Sequence, residues 1–379
     1  MTATLPAPAA APAPARWSLD DIFDQPASLR PLAVLRIAVG PAVLVHLAPF
    51  LADTLRGVTY DERFSEPWWG FVPEVPGAVQ VLLVWTGAVA AVALGLGWRT
   101  RLVAPITWLC VAGNLFLSQH HFRHNRAFLL FLLGAVALAD SGRVLSLDAR
   151  RRRARTGAAP TDPGDDLGTV WPLWLLRVLA ASVYLSSGFS KLIDPDWSGG
   201  LVLWDRAVRY QGEVHDRLPG FLADPVVDVI TARWVHAVTS PIAVAIELFI
   251  AFGIWFPRTR LAAVWVAGFF HVSIELAASV EVFSLAAIAA LVIWATPATR
   301  DRVVVLDDGR WVRRLDWLAR FDVREVPGAE LAVTDRDGTV RTGDAARWLL
   351  RSRLPLLFPF VAPAHLVRAA RRRPAAASA

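Results

Sequence analysis

Residues 78–98 read AVQVLLVWTGAVAAVALGLGW and contain no charged side chain. An α-helix of about 20 residues is long enough to cross the roughly 30 Å hydrocarbon core of a bilayer, so this run predicts a membrane-spanning helix. Comparable apolar runs recur along the chain. The eight predicted segments are residues 32–52, 78–98, 102–119, 127–147, 171–192, 236–256, 261–281 and 283–297.

The composition agrees with a membrane protein. Apolar residues make up 55% of the chain, its mean hydropathy is +0.43, and many of its 17 Trp lie at the ends of the apolar runs. Tryptophan is enriched where a membrane helix meets the lipid headgroups. We therefore expect an all-α fold: a polytopic membrane helical bundle of about eight transmembrane helices, carrying a small cytoplasmic α+β tail.

The net charge of +6 has a pattern that sets the expected orientation. Arginines collect in alternate connections and in the C-terminal tail, whereas residues 53–77 and 194–235 are rich in acids. Cytoplasmic loops of membrane proteins carry the excess of Lys and Arg. Both termini are therefore predicted to be cytoplasmic. The helices between them are expected to be in contact with the lipid bilayer. No nucleic-acid-binding motif accompanies the basic charge, so no nucleic-acid partner is expected.

Three regions are predicted. Residues 1–28 are rich in Ala and Pro and form a disordered N-terminal tail, residues 29–297 form the transmembrane domain, and residues 298–379 form a cytoplasmic appendage. That appendage contains short strand patterns, a D-x-D-G turn and a helix pattern. Cys110, the single cysteine, excludes an intrachain disulfide, a CxxC redox pair and a cysteine metal cluster.

Lys191 is the only lysine among the 39 basic residues of the chain. Tyr184, Gly188 and Lys191 follow i, i+4, i+7 spacing, so they share one face of the fifth predicted helix. Lysine can lose its proton in an apolar site, whereas arginine cannot. A neutral amine base is one interpretation of Lys191, and a side chain reaching from the helix end to the headgroups is the other.

Other ionisable residues fall inside the apolar runs, where they are functional candidates by default. Glu247 lies in the sixth segment, and His271 and Glu275 lie one turn apart in the seventh. We expect Lys191, Tyr184, His271, Glu275 and a residue from 120–125 to face one pocket in the outer half of the bundle. Arg36 and Arg177, near the inner ends of their helices, are expected to have structural roles. No metal is expected, because His120 and His124 lack a carboxylate at fixed spacing.

The segment VYLSSGFSKLIDPDWSGG (183–200) resembles a Y-x-x-x-G-x-x-K-L signature followed by D-W. This is the signature of the HTTM family, which includes the vitamin K-dependent γ-glutamyl carboxylases. Residues 124–148 resemble the family helix that ends in S-x-D, and residues 247–285 resemble its acidic, arginine and F-H blocks in order. The resemblance covers residues from about 30 to 297.

The resemblance implies particular roles. Lys191 takes the position of the base that deprotonates a reduced, vitamin K-like quinone, and His271 matches a pocket histidine. A second pocket histidine of the family aligns with Asn125, and His124 is its neighbour. Residues expected to face the substrate are Tyr184, Gly188, Trp197, Glu247 and Glu275.

The tail, residues 298–379, stands where the carboxylases carry a large lumenal domain for propeptide and substrate. It faintly resembles the later half of a DCC thiol-disulfide domain, without the cysteines that define that domain. Three hypotheses follow: a membrane enzyme acting on a quinone or other lipophilic small molecule, a non-catalytic protein assisting maturation or export of a secreted peptide, and a small-molecule transporter.

Overall fold

The structure is a computed structural model. The described residues are 27–58, 66, 68, 76–157, 166–169, 171–278, 282–295, 302–335 and 337–361, and for residues 125, 217, 276–278 and 295 only the backbone is described. Of the predicted disordered tail, residues 1–28, all but residues 27–28 fall outside this description.

The chain divides into two compact units. The helical unit comprises Pro31–Asp166 and Pro172–Ala295, and the second unit gathers the residues up to Arg30, Leu167–Trp171 and Thr296–Ala379. The larger helices are α1 (Arg30–Leu55), α2 (Gly77–Leu96), α3 (Thr100–Phe116), α4 (His124–Leu138), α6 (Trp171–Ile193), α10 (Arg233–Gly253), α11 (Arg260–Ala278) and α12 (Val282–Ala295). Shorter helices are α5 (Leu147–Thr156), α7 (Pro195–Ser198), α8 (Leu201–Arg217) and α9 (Gly220–Thr231), with a 3-10 turn at Gln119–His121.

The predicted fold class, a helical membrane bundle with a small α+β tail, is confirmed. Among the described residues, α1, α2, α6 and α10 are long and apolar enough to cross a membrane. Shorter apolar helices are Thr100–Phe116, Arg126–Leu138 and Val282–Trp294. The number of eight membrane crossings stays a prediction.

The helices pack mainly against their neighbours along the chain. α2 packs against α3, α3 against α4, α10 against α11, and α11 against α12. α12 also packs against α4, which brings the second half of the unit onto the first.

The predicted fourth segment, 127–147, is too long. Helix α4 ends at Leu138, and a turn follows before α5 begins at Leu147. Buried Arg36 of α1 explains this end, because its guanidinium donates to the carbonyl oxygens of Ser141 at 3.2 Å and Leu145 at 2.6 Å. A guanidinium that donates hydrogen bonds to several backbone carbonyl oxygens stabilises the non-helical backbone after a helix end.

Arg36 also closes the end of α2. Its Nη1 atom donates to the carbonyl oxygens of Leu94 at 2.7 Å and Gly95 at 3.0 Å. The chain then turns at Gly97, whose φ is 70° and where a side chain would collide with the Arg36 guanidinium. A positive charge at a helix C-terminus also interacts favourably with the helix dipole. Arg36 therefore has a structural role, as expected.

Arg177 is likewise held at the start of α6. Its guanidinium lies over the rings of Trp174 and Trp294, and its Nη2 atom donates to the carbonyl oxygen of Ile293 at 3.0 Å. A cation over aromatic faces with a carbonyl partner is a stable arrangement in an apolar setting. Arg177 therefore joins α6 to α12.

Asp148 lies in the first turn of α5. Its carboxylate accepts hydrogen bonds from the backbone N–H of Arg99 at 2.8 Å and Thr100 at 2.7 Å, which caps α3. Burial opposes ionisation, but the hydrogen bonds from Thr100 and Arg99 and the charge of Arg151 together lower the pKa of Asp148. The S-x-D sequence thus ties α5 to the start of α3.

The predicted outer loop 194–235 is helical. α7, α8 and α9 occupy it, and α8 packs against both α9 and α10. Trp204 of α8 donates its indole N–H to the carbonyl oxygen of Thr231 at the end of α9, at 2.8 Å. These helices form a small layer between the ends of α6 and α10.

The second unit contains two small sheets. One pairs β1 (Ala27–Ser28) with β2 (Leu167–Gly168). The other has the strand order β4-β3-β5-β6, with β3 and β4 parallel and the remaining pairs antiparallel. Its elements are β3 (Val303–Leu306), α13 (Arg310–Leu315), β4 (Asp322–Glu325), β5 (Ala332–Thr334), β6 (Val340–Thr342) and α14 (Gly343–Arg353).

Helix α14 covers this sheet and supplies part of its core. Buried Leu349 and Leu350 join Val304 and Val333 in one apolar cluster. The predicted D-x-D-G turn connects β5 and β6, and Gly338 there has a φ of 78°.

Asp316 accepts hydrogen bonds from the backbone N–H groups of Arg320 and Phe321. Burial of its carboxyl group nevertheless raises the pKa of Asp316 to about 6.

Candidate functional site

Lys191 forms a buried ionic cluster with Glu247. Its Nζ atom lies 2.6 Å from Glu247 Oε1 and 3.0 Å from Ser187 Oγ, and Ser187 Oγ donates to the same Glu247 oxygen at 3.1 Å. The side chains of Lys191 and Glu247 are 17% and 5% exposed. We call Lys191, Ser187 and Glu247 the lysine cluster. A charge-assisted hydrogen bond this short is strong and directional.

Helix spacing on α6 presents the cluster. Ser187 lies four residues before Lys191, so both side chains lie on the same side of the helix. Gly188 lies between them, and a Cβ there would come within 2.9 Å of Leu248 Cδ2 and 3.4 Å of Glu247 Cβ. The missing side chain lets α10 approach α6 closely. Gly188 therefore acts on the backbone packing that delivers Glu247 to Lys191.

Trp197 closes one side of the cluster. The Nζ atom of Lys191 lies 4.8 Å from the centre of its indole ring, a cation–π contact. Trp197 lies on α7, directly after α6. The cation–π contact and the Glu247 carboxylate both hold the amine at the end of α6.

Tyr184 and His271 form a second buried pair on the same helix. The Tyr184 hydroxyl lies 2.6 Å from His271 Nε2, and the two residues are 6% and 1% exposed. The ring of His271 also meets Phe283 of α12 edge-on, with centroids 5.5 Å apart. Tyr184 and Lys191 are seven residues apart, or about 10 Å along the helix axis. One face of α6 thus carries both pairs.

Several buried polar atoms of these residues make no hydrogen bond with any described residue. They are Glu247 Oε2, His271 Nδ1 and Glu275 Oε2. A buried polar atom without a partner costs about 1–3 kcal/mol, so these atoms are candidates for contact with a ligand. All three belong to residues that the sequence singled out.

The remaining predicted site residues lie elsewhere or are not described. His124 is exposed and meets the ring of Phe122, and the side chain of Asn125 falls outside the described part of the chain. Glu275 is half-buried on α11, one turn beyond His271. His120 pairs with Glu66 at 3.2 Å on the surface. The contacts of residues 120–124 that are described do not reach the lysine cluster.

A separate buried polar group lies between α1 and α3. His46 and Asn114 are 4% and 0% exposed, and His121 Nδ1 lies 3.0 Å from the Asn114 carbonyl oxygen. Phe50 contacts the rings of both histidines. The outer histidines are therefore divided among several places. Among the described residues, no three His, Cys, Asp or Glu side chains are grouped to hold a metal.

Ser187, which bridges Lys191 and Glu247, was not among the predicted site residues. Its i−4 position relative to Lys191 was the available signal. The partner of Lys191 could not be recognised in the same way, because Glu247 lies 56 residues further along the chain.

These features define a helical membrane protein with a buried Lys–Glu pair on two packed helices. The HTTM domain matches residues 24–298, and the chain belongs to the HTTM domain family. This confirms the resemblance found in residues 183–200 and 247–285. The HTTM domain is linked to vitamin K-dependent carboxylase-like membrane proteins. No curated protein and no solved structure matches the chain.

Proposed function

We propose that this protein is a multi-pass membrane enzyme in which Lys191 takes a proton from the hydroxyl of a lipophilic substrate. The family resemblance favours a reduced, vitamin K-like quinone as that substrate. The observation that carries the proposal is the 2.6 Å contact between Lys191 Nζ and Glu247 Oε1 at a buried position.

The pair offers a route to a free amine. The Glu247 carboxylate lies within direct hydrogen-bond reach of the Lys191 amine, so it can take up a proton that Lys191 gives away. The neutral Lys191 amine then takes the substrate proton: the substrate O–H bond breaks and an N–H bond forms. The resulting ammonium stabilises the substrate oxyanion next to it.

The surroundings suit a lipophilic molecule that approaches the amine from outside the packed core. The space beside Tyr184, lined also by Phe128 and Phe283, is only about 10 Å³. That is the volume of about one water, so a ring-sized substrate does not fit there without displacement of side chains. Lys191 is 17% exposed, and Trp197 offers an aromatic face beside it. Substrate access along α7 and Trp197 is therefore part of the proposal.

The proposed orientation places both termini in the cytoplasm and the α7–α9 layer outside. A Cys110→Ala background allows single cysteines to be introduced at exposed positions, Asp224 of α9 and Arg151 of α5. On intact cells, a membrane-impermeant maleimide should label Asp224→Cys and leave Arg151→Cys unlabelled until the cells are opened. Labelling of Arg151→Cys but not of Asp224→Cys on intact cells would show that the orientation is the reverse of the proposed one.

The activity itself is tested with the purified full chain in lipid nanodiscs. Vitamin K hydroquinone and dissolved oxygen are supplied, and their conversion to the quinone epoxide and one water is followed by mass spectrometry of the epoxide. Turnover above that of empty nanodiscs supports the enzyme. Failure to convert the hydroquinone, with intact folding, contradicts the quinone proposal and favours a role in peptide maturation or in transport.

A further inference from the structure

An open hollow of about 750 Å³ lies between α3, α4 and α6. Its walls include Pro105, Trp108, Gly134, Ala137 and Leu175, and we call it the apolar groove. All of its lining residues are apolar apart from the indole N–H of Trp108. Ligand sites typically measure roughly 300–1,000 Å³, so the groove has room for a substantial molecule or chain.

The groove is bordered by side chains that face away from the protein. Leu109 is 60% exposed, Leu138 64% and Leu175 57%, although all three lie on apolar helices of the membrane unit. Large exposed apolar surface on such helices is covered by lipid in a bilayer. The groove therefore opens sideways to hydrocarbon.

A cation stands at one end of the groove. Arg101 lies four residues before Pro105 on α3, on the same side of the helix and one turn nearer its start. Its side chain is 88% exposed and lies 3.4 Å from Asp140, which follows Leu138 by two residues. An exposed ion pair of this kind contributes little, so the pair does not prevent Arg101 from binding another anion. A guanidinium matches the oxygen geometry of phosphate.

We propose that the apolar groove binds one acyl chain of a phospholipid whose phosphate pairs with Arg101. The lipid approaches from the membrane side where arginines concentrate, which the sequence predicts to be cytoplasmic. Leu179, the lining residue of α6 nearest to Lys191, is twelve residues from it, or about 18 Å along the helix. The phospholipid site is therefore separate from the lysine cluster and does not depend on the proposed enzyme activity.

Native mass spectrometry of the full chain, released from nanodiscs of phosphatidylglycerol, measures the bound phospholipid. The wild type should retain one phospholipid molecule. Arg101→Gln should reduce retention at least tenfold by removing the phosphate partner, and Ala137→Phe should reduce it similarly by filling the groove. The matched controls are Arg150→Gln, an exposed arginine of α5, and Val89→Phe, a 68% exposed position of α2. Both controls should retain lipid as the wild type does.

A parallel release from nanodiscs doped with diacylglycerol separates the two parts of the lipid. Preference for the phospholipid that disappears in Arg101→Gln supports the proposal. Equal retention of diacylglycerol and phospholipid, or loss of lipid in Ala137→Phe alone, overturns the phosphate contact. Retention unchanged in both groove variants overturns the site.

Discussion

Lys191→Arg is expected to abolish hydroquinone turnover, with a loss of at least about 100-fold, in the range that removal of a general base produces. Arginine keeps its proton under all conditions that proteins meet, so it cannot accept one from the substrate. It can still pair with Glu247 and lie against Trp197, as Lys191 does in the structure. The substitution therefore removes the base while leaving the ionic contact in place.

The measurement compares epoxide formation and melting temperature for the same preparations. Lys191→Arg should melt close to the wild type. Lys191→Met is a poorer test, because it would leave the Glu247 carboxylate without its cationic partner, so that a loss of turnover could come from a loss of stability. Phe189→Leu, a 51% exposed neighbour on α6, serves as the matched control and should keep full turnover. A Lys191→Arg protein with more than half of the wild-type turnover would exclude the base role.

Arg36→Met is expected to cause the largest loss of stability. The substitution leaves the carbonyl oxygens of Leu94, Gly95, Ser141 and Leu145 without their shared donor in a site where Arg36 is 0% exposed. Hydrogen bonds to charged groups contribute roughly 1.5–3 kcal/mol each and are not additive, so a loss of at least about 3 kcal/mol is expected. The melting temperature should fall by roughly 6–12 °C.

Thermal unfolding followed by fluorescence-detected size exclusion checks this result. Arg36→Lys should lie between wild type and Arg36→Met, because one ammonium with three donors cannot reach four carbonyls in two turns of the chain. Ile37→Met, at the adjacent 41% exposed position, should change little. Melting of Arg36→Met within about 2 °C of the wild type would show that the carbonyls find other partners.

The sequence predicted the positions of the helices well because their signal is local. A run such as residues 78–98 must be helical in lipid, since every backbone N–H and C=O needs a partner inside the segment. The same reasoning failed at the end of α4. Residues 139–147 contain Asp140, Gly142 and Arg143, which weaken the apolar signal there. Arg36, more than 100 residues earlier, binds the carbonyl of Ser141 beyond the end of the helix.

The sequence predicted which residues belong to the site, but it did not predict which of them contact each other. Periodicity placed Tyr184, Gly188 and Lys191 on one face of α6, and composition drew attention to the single lysine. The pairing of Tyr184 with His271 depends on how α6 and α11 are rotated toward each other. Spacing within one helix carries no information about that rotation.

By itself, the sequence determined a helical membrane protein of the HTTM family, with Lys191 as its most distinctive residue. Only the tertiary structure decided that Glu247 holds the Lys191 amine, that Ser187 bridges them, and that Gly188 permits the approach. Apolar runs and helix periodicity are properties of neighbouring residues, so the chain displays them directly. Contacts between helices depend on packing and on the burial of a few polar atoms, and these are fixed only when the whole bundle assembles.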